Sequence, residues 1–154
     1  MMKLSRTLLG LLTALCLSAP ALAALGGDAS SVEADRAKMK GVARITPTVD
    51  YSVHEIQTPT GTVVREYLSA QGKVFAVSWH GPAIPDLKEM LGTYYGQFAQ
   101  ANQSTQGPHL GGRHFRAVQG TDVVVQSSGH LKSFSGRAWA PGLLPQNFSL
   151  NDIT

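Results

Sequence analysis

The sequence predicts an α+β domain: an antiparallel sheet in the order β-β-β-α-β-β, with one amphipathic helix packed on a face. Three observations carry this expectation. Residues 51–80 alternate in polarity and are rich in Val, Ile, Tyr, Phe and Trp, as strands are. Two tight-turn signatures, Pro59-Thr60-Gly61 and Gln71-Gly72, divide that stretch into three strands. A helical apolar stripe follows, and nowhere does the chain show the strand–helix–strand alternation that a parallel sheet requires. With 154 residues, 43% hydrophobic and 15% charged, the chain suits one domain with a modest core, and its 16 Gly and 8 Pro suit many turns.

The N-terminus has the layout of a secretory signal peptide over 1–23. Lys3 and Arg6 form the positive region. Thr7 to Leu17 form an apolar run shorter than the roughly 20 residues of a membrane span. Pro20 breaks the helix before the Ala21-Leu22-Ala23 cleavage site. An uncleaved anchor and a lipidated Cys16 are the minor alternatives. The second is disfavoured because Leu15 stands where a lipidation site wants a small residue. Cleavage after Ala23 removes two of the 13 basic residues and leaves the rest nearly balanced against 10 acidic ones, so no nucleic-acid partner is implied. It also removes the single cysteine. The mature chain is then disulfide-free and rests on its core alone, which suits a bacterial periplasm. No transmembrane helix remains after cleavage.

Residues 24–50 read as a leader, a short helix and a linker. Ser30 or Ser31 is the expected cap, Glu33 and Asp35 stand near the helix start, and Lys38 and Lys40 near its end. Its apolar content is thin, so an exposed helix of marginal stability, free to move, is expected. Val42 to Asp50 reads as a connector.

The domain proper is expected over 51–140. Its first strand is Tyr51 to Thr58, its second Thr62 to Ala70, its third Lys73 to His80. Turn lengths set the pairing of an antiparallel hairpin, so faces can be derived. Ile56 falls opposite Val64, His54 opposite Glu66, Ser52 opposite Leu68, Leu68 opposite Phe75, and Val64 opposite Trp79. One face then carries Ile56, Val64, Leu68, Phe75, Val77 and Trp79 as core. The other carries Val53, Glu55, Val63, Arg65, Tyr67, Ser78 and His80, with Glu55 and Arg65 as a cross-strand ion pair.

Asp86, with Glu89 three residues on, is a variant capping box that opens the helix. Its stripe is Ile84, Leu87, Met90, Leu91, Tyr94, Tyr95 and Phe98. Gly92 and Gly96 lie inside it and suggest close approach of a neighbouring backbone. Ala99 to Gly120 reads as loop. Thr121 to Ser127 and Leu131 to Ala140 read as strands around a Ser128-Gly129 turn, and 141–154 as a C-terminal tail.

Chemistry candidates are sparse. His54 opposite Glu66 on an apolar face is the one pair with the elements of a general acid–base. The five histidines, His54, His80, His109, His114 and His130, show no metal-ligand spacing, so no metal and no cofactor are expected. There is no G-x-S-x-G elbow. Arg65, Tyr67 and His80 on the second sheet face, and Arg113 and Arg116 in a glycine-rich basic stretch, are the candidates for binding an anion or a partner.

The blocks Val53-His54-Glu55, Thr62-Val63-Val64-Arg65-Glu66-Tyr67, Phe75-Ala76-Val77-Ser78-Trp79, Gly81-Pro82 and Pro85-Asp86-Leu87 resemble the exported bacterial proteins grouped as domain-of-unknown-function family 2844. The resemblance covers most of the mature chain and implies an exported protein. It assigns no catalytic or binding residues. The reading favoured is a non-enzymatic periplasmic or secreted module that binds an envelope protein or a cell-wall component. A small exported hydrolase using His54 and Glu66 is the alternative, and a histidine metal-binding protein a third.

Overall fold

The β-branched stretches close into hydrogen-bonded strands wherever a neighbour can take up their backbone groups. In the computed structural model, which describes residues 25–104 and 116–154, these are β1 (Val42–Pro47), β2 (Tyr51–Gln57), β3 (Val63–Ser69), β4 (Val74–Gly81), β5 (Arg116–Gln119), β6 (Val124–His130) and β7 (Ser133–Trp139). Helix α1 spans Ala29–Lys38, α2 spans Leu87–Leu91 and α3 spans Tyr95–Ser104. All strands pair antiparallel in one seven-stranded sheet, order β1-β2-β3-β4-β7-β6-β5. The α+β class therefore stands, and the last strands do extend the first sheet, through β4 and β7.

The first hairpin has the expected register, with Ile56 opposite Val64 and His54 opposite Glu66. Gly61 takes the left-handed position (φ +88°). The second hairpin differs. Its loop is closed by Ser69 N–H donating to Lys73 O, and Gly72 sits at φ +73°. Leu68 consequently pairs with Val74, a bulge follows Tyr67, and Phe75 swings to the opposite face from the one its spacing predicts.

Four other segments depart from expectation. Residues 42–47 are an edge strand rather than a connector. The single helix is broken: Asp86 caps α2 as expected, but Gly92 turns to φ +49° and a 3-10 turn at Gly92–Tyr94 leads into α3. Ile84 is left half exposed, and a Cβ on Gly96 would meet nothing, so no backbone approaches there. Ser128 and Gly129 lie within β6, and the turn is made by Leu131 and Lys132, both at positive φ. Residues 116–119, read as loop, form β5.

Two cores result. On one face, α1, α2 and α3 cover Ile56, Val64, Leu68, Val77, Trp79, Val125 and Ala138. On the other, residues 141–154 fold back across the sheet. Phe148 joins Tyr51, Tyr67 and Phe75 in an aromatic cluster, its ring 4.7 Å from that of Phe75 and 5.1 Å from that of Tyr51. The expected tail is thus the cover of a second core, and Phe75 packs there because the bulge turned it over.

Candidate functional site

Antiparallel pairing aligns side chains in rows across the strands, and the rows decide what each face can do. On the tail-covered face, the row Val53–Tyr67–Ala76–Trp139–Val124 is apolar and lies in the second core. The next row reads Arg44–Glu55–Arg65–Ser78–Arg137–Gln126. The row after it reads Val63–His80–Ser135–Ser128. These two polar rows floor a groove of about 470 Å3, with the C-terminal residues Ile153 and Thr154 along one wall. The face is therefore split into an apolar half that the tail covers and a polar half that it leaves open.

The groove's side chains are held in place. Arg65 Nε donates to Glu55 Oε2 at 2.8 Å and its Nη1 to Thr154 O at 2.8 Å. Ser78 Oγ and Tyr67 Oη donate to the same oxygen, at 2.8 and 3.2 Å. Arg137 Nε donates to Gln126 Oε1 at 2.9 Å and its Nη1 to Leu150 O at 2.7 Å, while its guanidinium stands 5.6 Å from the centre of the Trp139 ring. Ser128 and Ser135 hydroxyls are bonded at 3.0 Å, and His80 is exposed. Among the described residues Arg65 has a carboxylate partner and Arg137 has none.

The predicted candidates separate on this map. Arg65 and His80 line the groove. Tyr67 does not: it is 1% exposed and works as a fastener, accepting from Thr154 N–H at 3.0 Å as well as donating to its carbonyl. Arg116 belongs to β5, far along the sheet from β3 and β4. Arg113 and residues 1–23, read from the sequence as a signal peptide, lie outside the described residues, as do His109 and His114. Arg137, Ser128 and Ser135 were missed because the strand pairing of the C-terminal half was unreadable. Once β7 is placed beside β4, Arg137 falls opposite Ser78.

His54 and Glu66 are paired in register, yet no hydrogen bond or ion pair joins them among the described side chains. His54 Nε2 is 3.2 Å from Ser52 Oγ, and burial holds its pKa below the usual imidazole value. Glu66 is 1% exposed and faces Asp35 of α1, which is fully buried. Helix α1 is therefore seated, against the expectation of an exposed and mobile element. Asp28, rather than Ser30 or Ser31, caps it, accepting from Ser30 N–H (3.0 Å) and Ser31 N–H (3.2 Å). Among the described residues, both Asp35 oxygens and Glu66 Oε2 have no hydrogen-bond donor. A proton held between the two carboxyls is the donor this geometry leaves room for. Burial, then the neighbouring Asp35, pushes Glu66 up to about 9; burial also pushes Asp35 up to about 6. The pair is walled off from the groove by the sheet and serves to dock α1.

A second hollow, of about 390 Å3, lies between the end of α1, the first hairpin loop and the Ala83–Asp86 segment. Of its charged lining, Lys38 and Glu89 pair at 3.3 Å and Asp86 caps α2. Among the described residues no three His, Cys, Asp or Glu side chains gather as a metal site. No helix there is long and apolar enough to cross a membrane.

A family model described as "Protein of unknown function (DUF2844)" matches residues 21–153. The chain belongs to this DUF2844 family. The match takes in both halves of the sheet, α1 and almost all of the C-terminal cover, so the groove is built wholly from family-matched sequence apart from Thr154. No curated protein and no solved structure matches the chain.

Proposed function

We propose that this DUF2844 member is an exported, non-enzymatic binding module, cleaved after Ala23, whose ligand surface is the polar groove over β3, β4, β7 and β6. One observation carries the reading. Residues 141–153 pack on the apolar rows of the sheet face, while the polar rows set positioned arginine, serine and histidine side chains in a concavity. Ligand sites are concave, largely pre-formed and supplied with a few fixed polar groups, and this groove has those properties. Export rests on the charged, apolar and Ala-x-Ala segments of the N-terminus. An envelope component is then the class of partner within reach.

The test compares the mature chain with a Ser128→Trp/Ser135→Trp variant by calorimetric titration against solubilised envelope fractions. Saturable binding to one fraction, lost in the variant while its melting temperature is kept, is the expected result. Equal binding by the variant would move the site elsewhere. Absence of binding to every fraction, or conversion of a fraction component to product, would overturn the reading.

A further inference from the structure

The groove's charge narrows what it can hold. Of its central row Arg65 and Arg137 line the groove, and no Asp or Glu side chain stands among the lining residues, so its charged side chains are cationic. Glu55 takes up Arg65, whereas among the described residues Arg137 is oriented by neutral groups, the Gln126 amide, the Leu150 carbonyl and the Trp139 ring. A guanidinium fixed by two neutral acceptors and an aromatic face keeps its charge and its remaining N–H groups for an incoming oxyanion. Arg65 and Arg137 flank Ser78 on adjacent strands, which sets their backbones about 9–10 Å apart.

The remaining lining selects among anions. The floor is a sheet face, whose backbone N–H and C=O groups are committed to the ladder. An extended peptide bound there would lack the main-chain hydrogen bonds through which sheets capture strands at their edges. What the floor offers is side-chain hydroxyl, amide and imidazole from Ser128, Ser135, Gln126 and His80, a set that matches ring hydroxyls. We infer, resting on the groove reading above, that the groove takes an acidic saccharide, with Arg137 receiving its carboxylate and the serine–histidine row its hydroxyl groups.

The experiment titrates the mature protein with an oligogalacturonate, with the same oligosaccharide methyl-esterified at its carboxyls, and with an acidic peptide of equal charge. The acid oligosaccharide is expected to bind, the ester at least 10-fold more weakly, and the peptide not measurably. Arg137→Gln should weaken the acid form by 10-fold or more and leave the ester unchanged. Because Arg137 also holds the Leu150 carbonyl, His80→Ala serves as a second variant on an exposed side chain, expected to weaken acid and ester alike. Equal binding of acid and ester would overturn the anionic assignment, and preference for the peptide would overturn the saccharide. If neither saccharide binds while an envelope fraction still binds in a groove-dependent way, this inference fails and the groove reading stands. If neither does, both fail.

Discussion

Among single residues, the buried Glu66–Asp35 pair ties the stability of the fold to pH. Both carboxyls have folded-state pKa values raised above the ordinary carboxylate range, so the folded protein binds more protons than the unfolded chain at intermediate pH. Their contribution is fully present below about pH 4 and is lost as pH rises through about 6 and then about 9. Thermal melts should therefore show lower stability at pH 8 than at pH 5. Glu66→Gln should flatten that dependence and stabilise the protein at pH 8 by about 2–4 kcal/mol. A wild-type melting temperature that climbs from pH 5 to pH 8 would contradict this. A second residue-scale expectation concerns Gly136. An added Cβ would stand 2.2 Å from Trp79 Cζ2 and 2.8 Å from Gln126 O. Gly136→Ala should cost about 1–3 kcal/mol in chemical denaturation, because the indole must leave its rotamer. The facing of His54 and Glu66 was legible from turn lengths alone. That Glu66 answers to Asp35 was not, because nothing in the spacing of a weakly apolar helix says which sheet residue it will cover.

At the scale of elements, the two covers of the sheet are what sequence reading undervalued. Helix α1 looked marginal because it buries few apolar side chains, mainly Val32. Its docking also uses Ser31 and Asp35, polar residues that periodicity arguments assign to solvent. If the carboxyl pair docks it, amides of α1 should lose hydrogen-exchange protection, corrected for intrinsic rate, between pH 5 and pH 9, ahead of the sheet. Simultaneous loss in α1 and β3 would show that the pair does not act locally. The C-terminal segment looked like a tail because it has no periodicity. It has anchors instead: Phe148, Ile153 and the Thr154 oxygen that Arg65, Tyr67 and Ser78 share. Phe148→Ala should cost about 2–3 kcal/mol, at or below the usual figure for a fully buried phenylalanine because the residue is only partly buried. The second hairpin shows the limit of turn counting. Gly72 at positive φ can close a two-residue or a three-residue loop, and the choice of the latter moved Phe75 across the sheet.

At the scale of the molecule, local signals revealed the antiparallel α+β class and the β2–β3 register, and long-range pairing supplied the rest. The first sheet face was readable because its strands are joined by tight turns. The groove was half readable: Arg65, Ser78 and His80 were assigned to one face. Their partners Arg137, Ser135 and Ser128 arrive from residues 128–137, where a misplaced turn at Ser128-Gly129 concealed the alternation. The proposed function places the ligand on the polar half of this face. It is tested most directly by amide chemical-shift mapping of the 15N-labelled mature protein during titration with an envelope ligand. Shifts concentrated at His80, Ser128, Ser135 and Arg137, with His54 and Ile45 on the opposite face unmoved, are the expected result. Shifts confined to the α1–α2 side, or to the β1 edge, would contradict it.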